Sequence, residues 1–113
     1  MRARGRRGED AAVIFLQQNG LSVIARNYHC RFGEIDIIAQ DGDVLVFVEV
    51  RMRSSNNFGG AAASITAAKR GKLLRTARHY LSGLACMPAC RFDAVLIGDG
   101  GAPAEWLKDA FGE

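Results

Sequence analysis

Apolar residues recur along this chain with two different periods, and each change of period marks an element. From Glu9 to Asn19 the positions Glu9, Ala12, Val13 and Leu16 repeat at helical spacing, and Gly20 suits the residue just past a helix end. Leu21 to Tyr28 reads as a first strand. Two more strands follow, ending near Ala39 and Arg51, and Asp41-Gly42 suits a two-residue hairpin turn between them whose central residues need positive φ. Ser54 to Gly60 is polar and glycine-containing, a mobile loop by composition. Thr66 can cap a helix running to about Leu81, with Leu73, Leu74, Ala77 and Leu81 as its apolar face. Arg91 to Ile97 gives a further strand and Trp106 to Phe111 a short closing helix. The chain shows no internal repeat, low-complexity tract or interdomain linker.

The hairpin carries the candidate chemistry. With Asp41-Gly42 as its turn, Asp36 faces Phe47 and Glu34 faces Glu49, so Asp36 and Glu49 project from one face, one step apart, with Arg51 beyond them. The run Val44 to Val48 is apolar on both parities, as in a strand covered on both sides. Glu49 stands at its far end, where a strand leaves the core. Two buried carboxylates close together are costly, and a divalent cation or a fixed arginine would remove that cost. A plainer alternative pairs Glu49 with Arg51 or Arg53 on an exposed face. A one-residue slip or bulge would also part the two acids.

These residues resemble a known pattern. The spacing of Asp36 to Glu49-Val50-Arg51 is similar to the Asp…Glu-x-Lys core of the PD-(D/E)XK nuclease superfamily. More closely, the chain resembles the YraN family of small bacterial proteins related to archaeal Holliday-junction resolvases. The resemblance rests on Gly8-Glu9, Ala25-Arg26-Asn27-Tyr28, Gly33 to Ala39, Val46 to Val50, Phe58-Gly59, Lys69-Arg70, Arg91-Phe92-Asp93 and Ala110-Phe111. It implies an α/β, restriction-endonuclease-like αβββαβ core with a mixed sheet flanked by helices. It also implies that Asp36 and Glu49 are metal ligands for Mg²⁺ or Mn²⁺, with Glu9 reaching the same site from the first helix. Glu9 alternatively serves only the helix dipole. Where the nuclease pattern has lysine, this chain has Arg51. Arginine clamps a phosphate but does not act as a base, so the departure bears on catalysis more than on binding. In the implied fold Lys69 approaches Glu49 and takes the part of the missing lysine.

Composition narrows the class. At 113 residues, 49% hydrophobic, with a net charge of +3, the chain is one globular domain over 1–113, its residues 1–7 forming a flexible basic tail. No stretch is long and apolar enough for a signal peptide or a membrane span, which excludes a membrane partner and places the protein in the cytoplasm by default. Arg53 is a second phosphate contact by parity, and Lys69, Arg70, Lys72 and Arg75 give the later helix a basic face. Cys30, Cys86 and Cys90 match no paired zinc pattern and read as ordinary buried thiols in a reducing compartment. His29 and His79 have no acid or nucleophile at a telling spacing.

Three functions are compatible with these features. The first is a metal-dependent DNA endonuclease acting on branched or single-stranded DNA. The second is a DNA-binding module disabled by Arg51. The third is a protein–protein adaptor whose acids are structural. A homodimer is compatible with the sequence but not derivable from it.

Overall fold

The computed structural model describes residues 3–52, 67–98 and 103–111. Its elements run α1 (Ala3–Gln18), β1 (Ser22–Cys30), β2 (Gly33–Asp41), β3 (Val44–Met52), α2 (Ala67–Leu81), β4 (Ala89–Ile97) and β5 (Pro103–Phe111). The strands form a five-stranded sheet in the order β1-β2-β3-β4-β5. Within it only β3 and β4 are parallel neighbours, and α2 lies in the crossover that such a pair requires. This is the α/β, restriction-endonuclease-like αβββαβ core with a mixed sheet, extended by a fifth strand. The expected helix cap, Thr66, lies outside the described residues.

Doubly apolar β3 is the centre of the sheet for a plain reason: its two faces serve two cores. On one face Leu73, Ala77 and Leu81 of α2 cover Ile38, Leu45, Phe47, Phe92 and Ala94. On the other, Ala12 and Leu16 of α1 cover Ile37, Ala39, Val46, Val48, Val95 and Ile97. Each fully buried large apolar side chain contributes roughly 1.5–3 kcal/mol relative to exposure. No described helix is long and apolar enough to cross a membrane.

Four expectations are corrected. Trp106 to Phe111 is not a helix but part of β5, antiparallel to β4 with Leu107 opposite Ala94 and Trp106 opposite Val95. A short segment gains little from an isolated helical turn, whereas pairing satisfies the backbone edge of the buried strand β4. Residues 3–7 of the expected flexible tail are helical, because α1 starts at Ala3 and each added residue extends a helix already nucleated. Cys86 and Cys90 are exposed and Cys30 half-buried, since all three lie near strand ends rather than in either core. Finally, Asp41 pairs with Val44, so the hairpin turn is Gly42-Asp43. Gly42, with φ of 60°, takes the first loop position, where a type II′ turn needs glycine. The strands thereby slide by two residues, every side chain keeps its face, and Phe47 faces Ile38 instead of Asp36.

Local geometry at the other end of the β1–β2 ribbon positions the site. Asn27 has a φ of 54°, and the alternation of faces reverses there. Arg26 reaches Asp10 on α1, yet Tyr28, two residues on, bonds His79 on α2. Ile37 and Ile35, opposite Arg26 and Tyr28, likewise divide between the α1 and α2 cores. The ladder between β2 and β3 extends only to the pair Ile37–Val48, so the ribbon peels away from β3 at Asp36. Its start then packs on α2, where a Cβ on Gly33 would lie 3.0 Å from Thr76 Oγ1.

Candidate functional site

Asp36 occupies the point where the sheet opens. Carried one step past Ile37–Val48, the register sets it across from Glu49, and its Oδ2 accepts a 2.8 Å hydrogen bond from the Val50 amide. A side-chain carboxylate thus satisfies a backbone donor that the departing strand no longer reaches. Asp36 and Glu49 lie close enough that each shifts the other's protonation. Burial, then the charge of Asp36, pushes Glu49 up to about 8, despite the opposing charges of Arg51 and Lys69. Burial likewise raises Asp36, against the opposing bond from Val50 and the influence of Glu49. The two acids therefore hold a proton between them at neutral pH, because burial outweighs the positive charge of Arg51 and Lys69.

The Glu49 carboxylate opens onto a cleft of about 200 Å³ between the start of β2, the end of β3 and the first turns of α2. Gly33, Glu34, Arg51, Lys69, Lys72 and Leu73 complete its lining. Arg51 Nη2 lies 2.9 Å from Glu49 Oε2, while its buried Nε has no hydrogen-bond partner among the described residues. Lys69 is close enough to lower the Glu49 pKa by its charge. Thus Asp36, Glu49, Arg51, Lys69 and Lys72 come together. Arg70 and Arg75 are exposed on α2 and do not line the cleft, and Arg53 lies outside the described residues, as does the loop 54–60.

Glu9 approaches from the opposite side. Its side chain is 14% exposed, 3.7 Å from Arg26 Nη2 and bonded to the Asn27 side chain. Burial, then the charge of Asp36, raises its pKa. Among the described residues, no three of His, Cys, Asp and Glu converge tightly enough to cage an ion. What fits is a hard cation held by the Asp36–Glu49 pair alone, since Mg²⁺ characteristically keeps several waters and takes one or two carboxylates plus phosphate oxygens.

Two features escaped sequence reasoning. Glu34 lines the cleft beside Glu49 and raises the pKa of Asp36. The expected register already set Glu34 opposite Glu49 but gave it no part in the site; the two-residue slide puts Asp36 there instead, and Glu34 keeps to the cleft. Asp93 is fully buried on the α1 face, next to Val48 in the parallel ladder. It accepts bonds from Arg91 Nε at 3.0 Å, Trp106 Nε1 at 2.9 Å and the Asp109 amide at 2.9 Å. Arg91 also reaches Asp41 at 3.1 Å. The alternation Arg91-Phe92-Asp93 within an apolar strand is the signal that could have found it.

The comparisons with known proteins agree with this architecture. A family model described as "Uncharacterised protein family UPF0102" matches residues 8–97. A UPF0102 protein of Nitrosomonas europaea is 57% identical, covering 100% of this chain and 99% of its own length. One from Nitrosospira multiformis is 53% identical over 98% and 94% of the two chains, and one from Psychromonas ingrahamii 47% over 98% and 91%. With a family model spanning most of the chain and relatives matching it nearly end to end, the protein belongs to the UPF0102 family, the YraN proteins.

Proposed function

We propose that this protein binds DNA and cleaves its backbone with the help of Mg²⁺ or Mn²⁺ held by Asp36 and Glu49. The observation that carries this reading is the adjacent acids Asp36 and Glu49 at the point where β2 leaves β3, with Glu49 lining a cleft whose cationic lining is Arg51, Lys69 and Lys72. A divalent cation there would polarise a phosphate oxygen and make a bound water more acidic. The chain's own groups do the rest. Arg51 lines the cleft and its guanidinium clamps a phosphate, and Lys72 adds charge at the rim. Lys69 supplies the compact ammonium that orients the attacking water, in place of the lysine that position 51 lacks.

A second reading keeps the DNA and removes the cleavage: Arg51 ties down one carboxylate at 2.9 Å and leaves a binding module. Nicking of branched and single-stranded DNA by wild type, Arg51→Lys and Lys69→Ala in Mg²⁺ or Mn²⁺ separates the two. Cleavage by wild type that falls about 10²–10⁴-fold in Lys69→Ala supports the first. Cleavage that appears only in Arg51→Lys supports the second, and DNA binding that fails at low salt in all three overturns both.

A further inference from the structure

Arg31 and Phe32 occupy an unusual place. Cys30 pairs with Gly33, so these two residues are the loop of the β1–β2 hairpin. Such loops favour Gly, Asn or Asp, and neither Arg nor Phe serves the turn itself. Phe32 is half-exposed and Arg31 exposed, with the guanidinium carbon 4.9 Å from the Phe32 ring centroid.

The ring is firmly mounted. His79 meets Phe32 at a centroid distance of 6.1 Å and an angle of 62°, and its Nδ1 bonds the Tyr28 hydroxyl. Tyr28 packs edge-on to Tyr80, which packs edge-on to the buried Phe47. A chain of ring contacts thus runs from the loop tip into the α2-side core, and a ring held this way loses little freedom when a ligand covers it. Directly after Phe32 comes Gly33, which lines the Glu49 cleft together with Lys72. Lys72 is near enough that a Cβ on Gly33 would sit 3.7 Å from the Lys72 Cβ. Phe32 therefore adjoins the cleft through Gly33, with the Arg31 guanidinium against its ring and Lys72 beside Gly33.

We propose that Phe32 and Arg31 form a stacking platform for an unpaired base of the DNA strand whose phosphate lies in the Glu49 cleft. This rests on the DNA-binding reading above and makes it specific for single-stranded segments. Aromatic rings and guanidinium planes present a flat surface to any exposed base. Within a duplex both faces of a base are already covered by its neighbours, so only an unpaired base can use the ring. The cations beside the ring match the phosphates that flank such a base.

The test is fluorescence anisotropy with the full chain and three probes of equal length: oligothymidylate, the same backbone with abasic sites, and a blunt duplex. Wild type should bind oligothymidylate at least about tenfold more tightly than the abasic strand, the scale of one stacked base. Phe32→Ala should lose about the same factor on oligothymidylate alone, and Phe32→Trp should restore it. Equal binding of thymidylate and abasic strands by wild type overturns the platform without needing any variant. So does an equal loss on all three probes in Phe32→Ala with its thermal unfolding unchanged, although DNA binding itself then stands. Wild type that binds none of the probes at low salt overturns the DNA-binding reading and the platform together.

Discussion

Two acidic centres, one fully buried and one half-buried, lie on opposite faces of one sheet and are built on opposite principles. On the α1 face Asp93, fully buried, is saturated by Arg91, Trp106 and the Asp109 amide. Its charge is paired and its oxygens are occupied, so it joins β4 to β5 and has nothing to offer a ligand. On the α2 face Asp36 and Glu49 sit side by side with Arg51 bridged to Glu49 at 2.9 Å, and burial leaves them sharing a proton. A carboxylate whose oxygens are all occupied has no capacity for a ligand, whereas a pair that shares a proton can exchange that proton. The two differ in depth of burial, but it is the partners of each carboxylate that set its use.

The sharpest way to break the comparison is Asp93→Ala. It would strand the Arg91 guanidinium, the Trp106 ring N–H and the Asp109 amide, and removing one member of a buried pair costs about 3–5 kcal/mol. For a domain of this size the melting temperature should fall by more than about 10 °C, measured by circular dichroism. A drop of a degree or two would mean that Asp93 is not a saturated structural centre.

The pH dependence comes next in size. Glu49 titrates near 8 in the fold, well above its ordinary value of 4.5, so the folded state holds a proton that the unfolded chain has released. Its favourable contribution is complete below the ordinary carboxylate range and is lost as pH rises through about 8. Denaturation in the presence of a chelator should therefore show stability declining from pH 5 to 8, by at most about 1.4 kcal/mol per pH unit for one proton. Glu49→Gln should flatten that slope, and Mg²⁺ should recover stability most at the alkaline end. A slope that persists unchanged in Glu49→Gln would assign the proton elsewhere.

The smallest change in stability should come from Asp36→Asn. The asparagine Oδ1 can still accept the Val50 amide, and Glu49 no longer needs to share a proton with a second carboxylate, so unfolding should move by less than about 1 kcal/mol in either direction. Divalent-cation affinity should nevertheless fall by at least about tenfold in isothermal titration. Retained affinity would show that the ion does not use this acid pair.

Much of this architecture was legible because it follows from local pattern. The period of the apolar residues locates both helices and the first four strands, and the doubly apolar run Val44 to Val48 marks the central strand. The common face of Asp36 and Glu49 was legible too, since a two-residue slide preserves parity. Lys69 beside Glu49 came only through the family resemblance, because nothing local links a helix start to a strand end. The hidden elements have physical causes of their own. Trp106 to Phe111 carries no strong period, and it became a strand because β4 had a backbone edge to satisfy. Glu9 lies on the expected side of α1, yet Arg26 and Asn27 engage it.

By itself, then, the amino-acid sequence determined the alternation of elements, the two apolar faces of the sheet and the family. These depend on side-chain periodicity, which is a property of neighbouring residues. Only the tertiary structure decided that Asp36 caps Val50, that Asp93 is saturated while Glu49 is not, and that Phe32 packs against His79 beside the cleft-lining Gly33. Each of those depends on which groups from distant segments meet in a region of low dielectric, where partners set the protonation and the use of a charge.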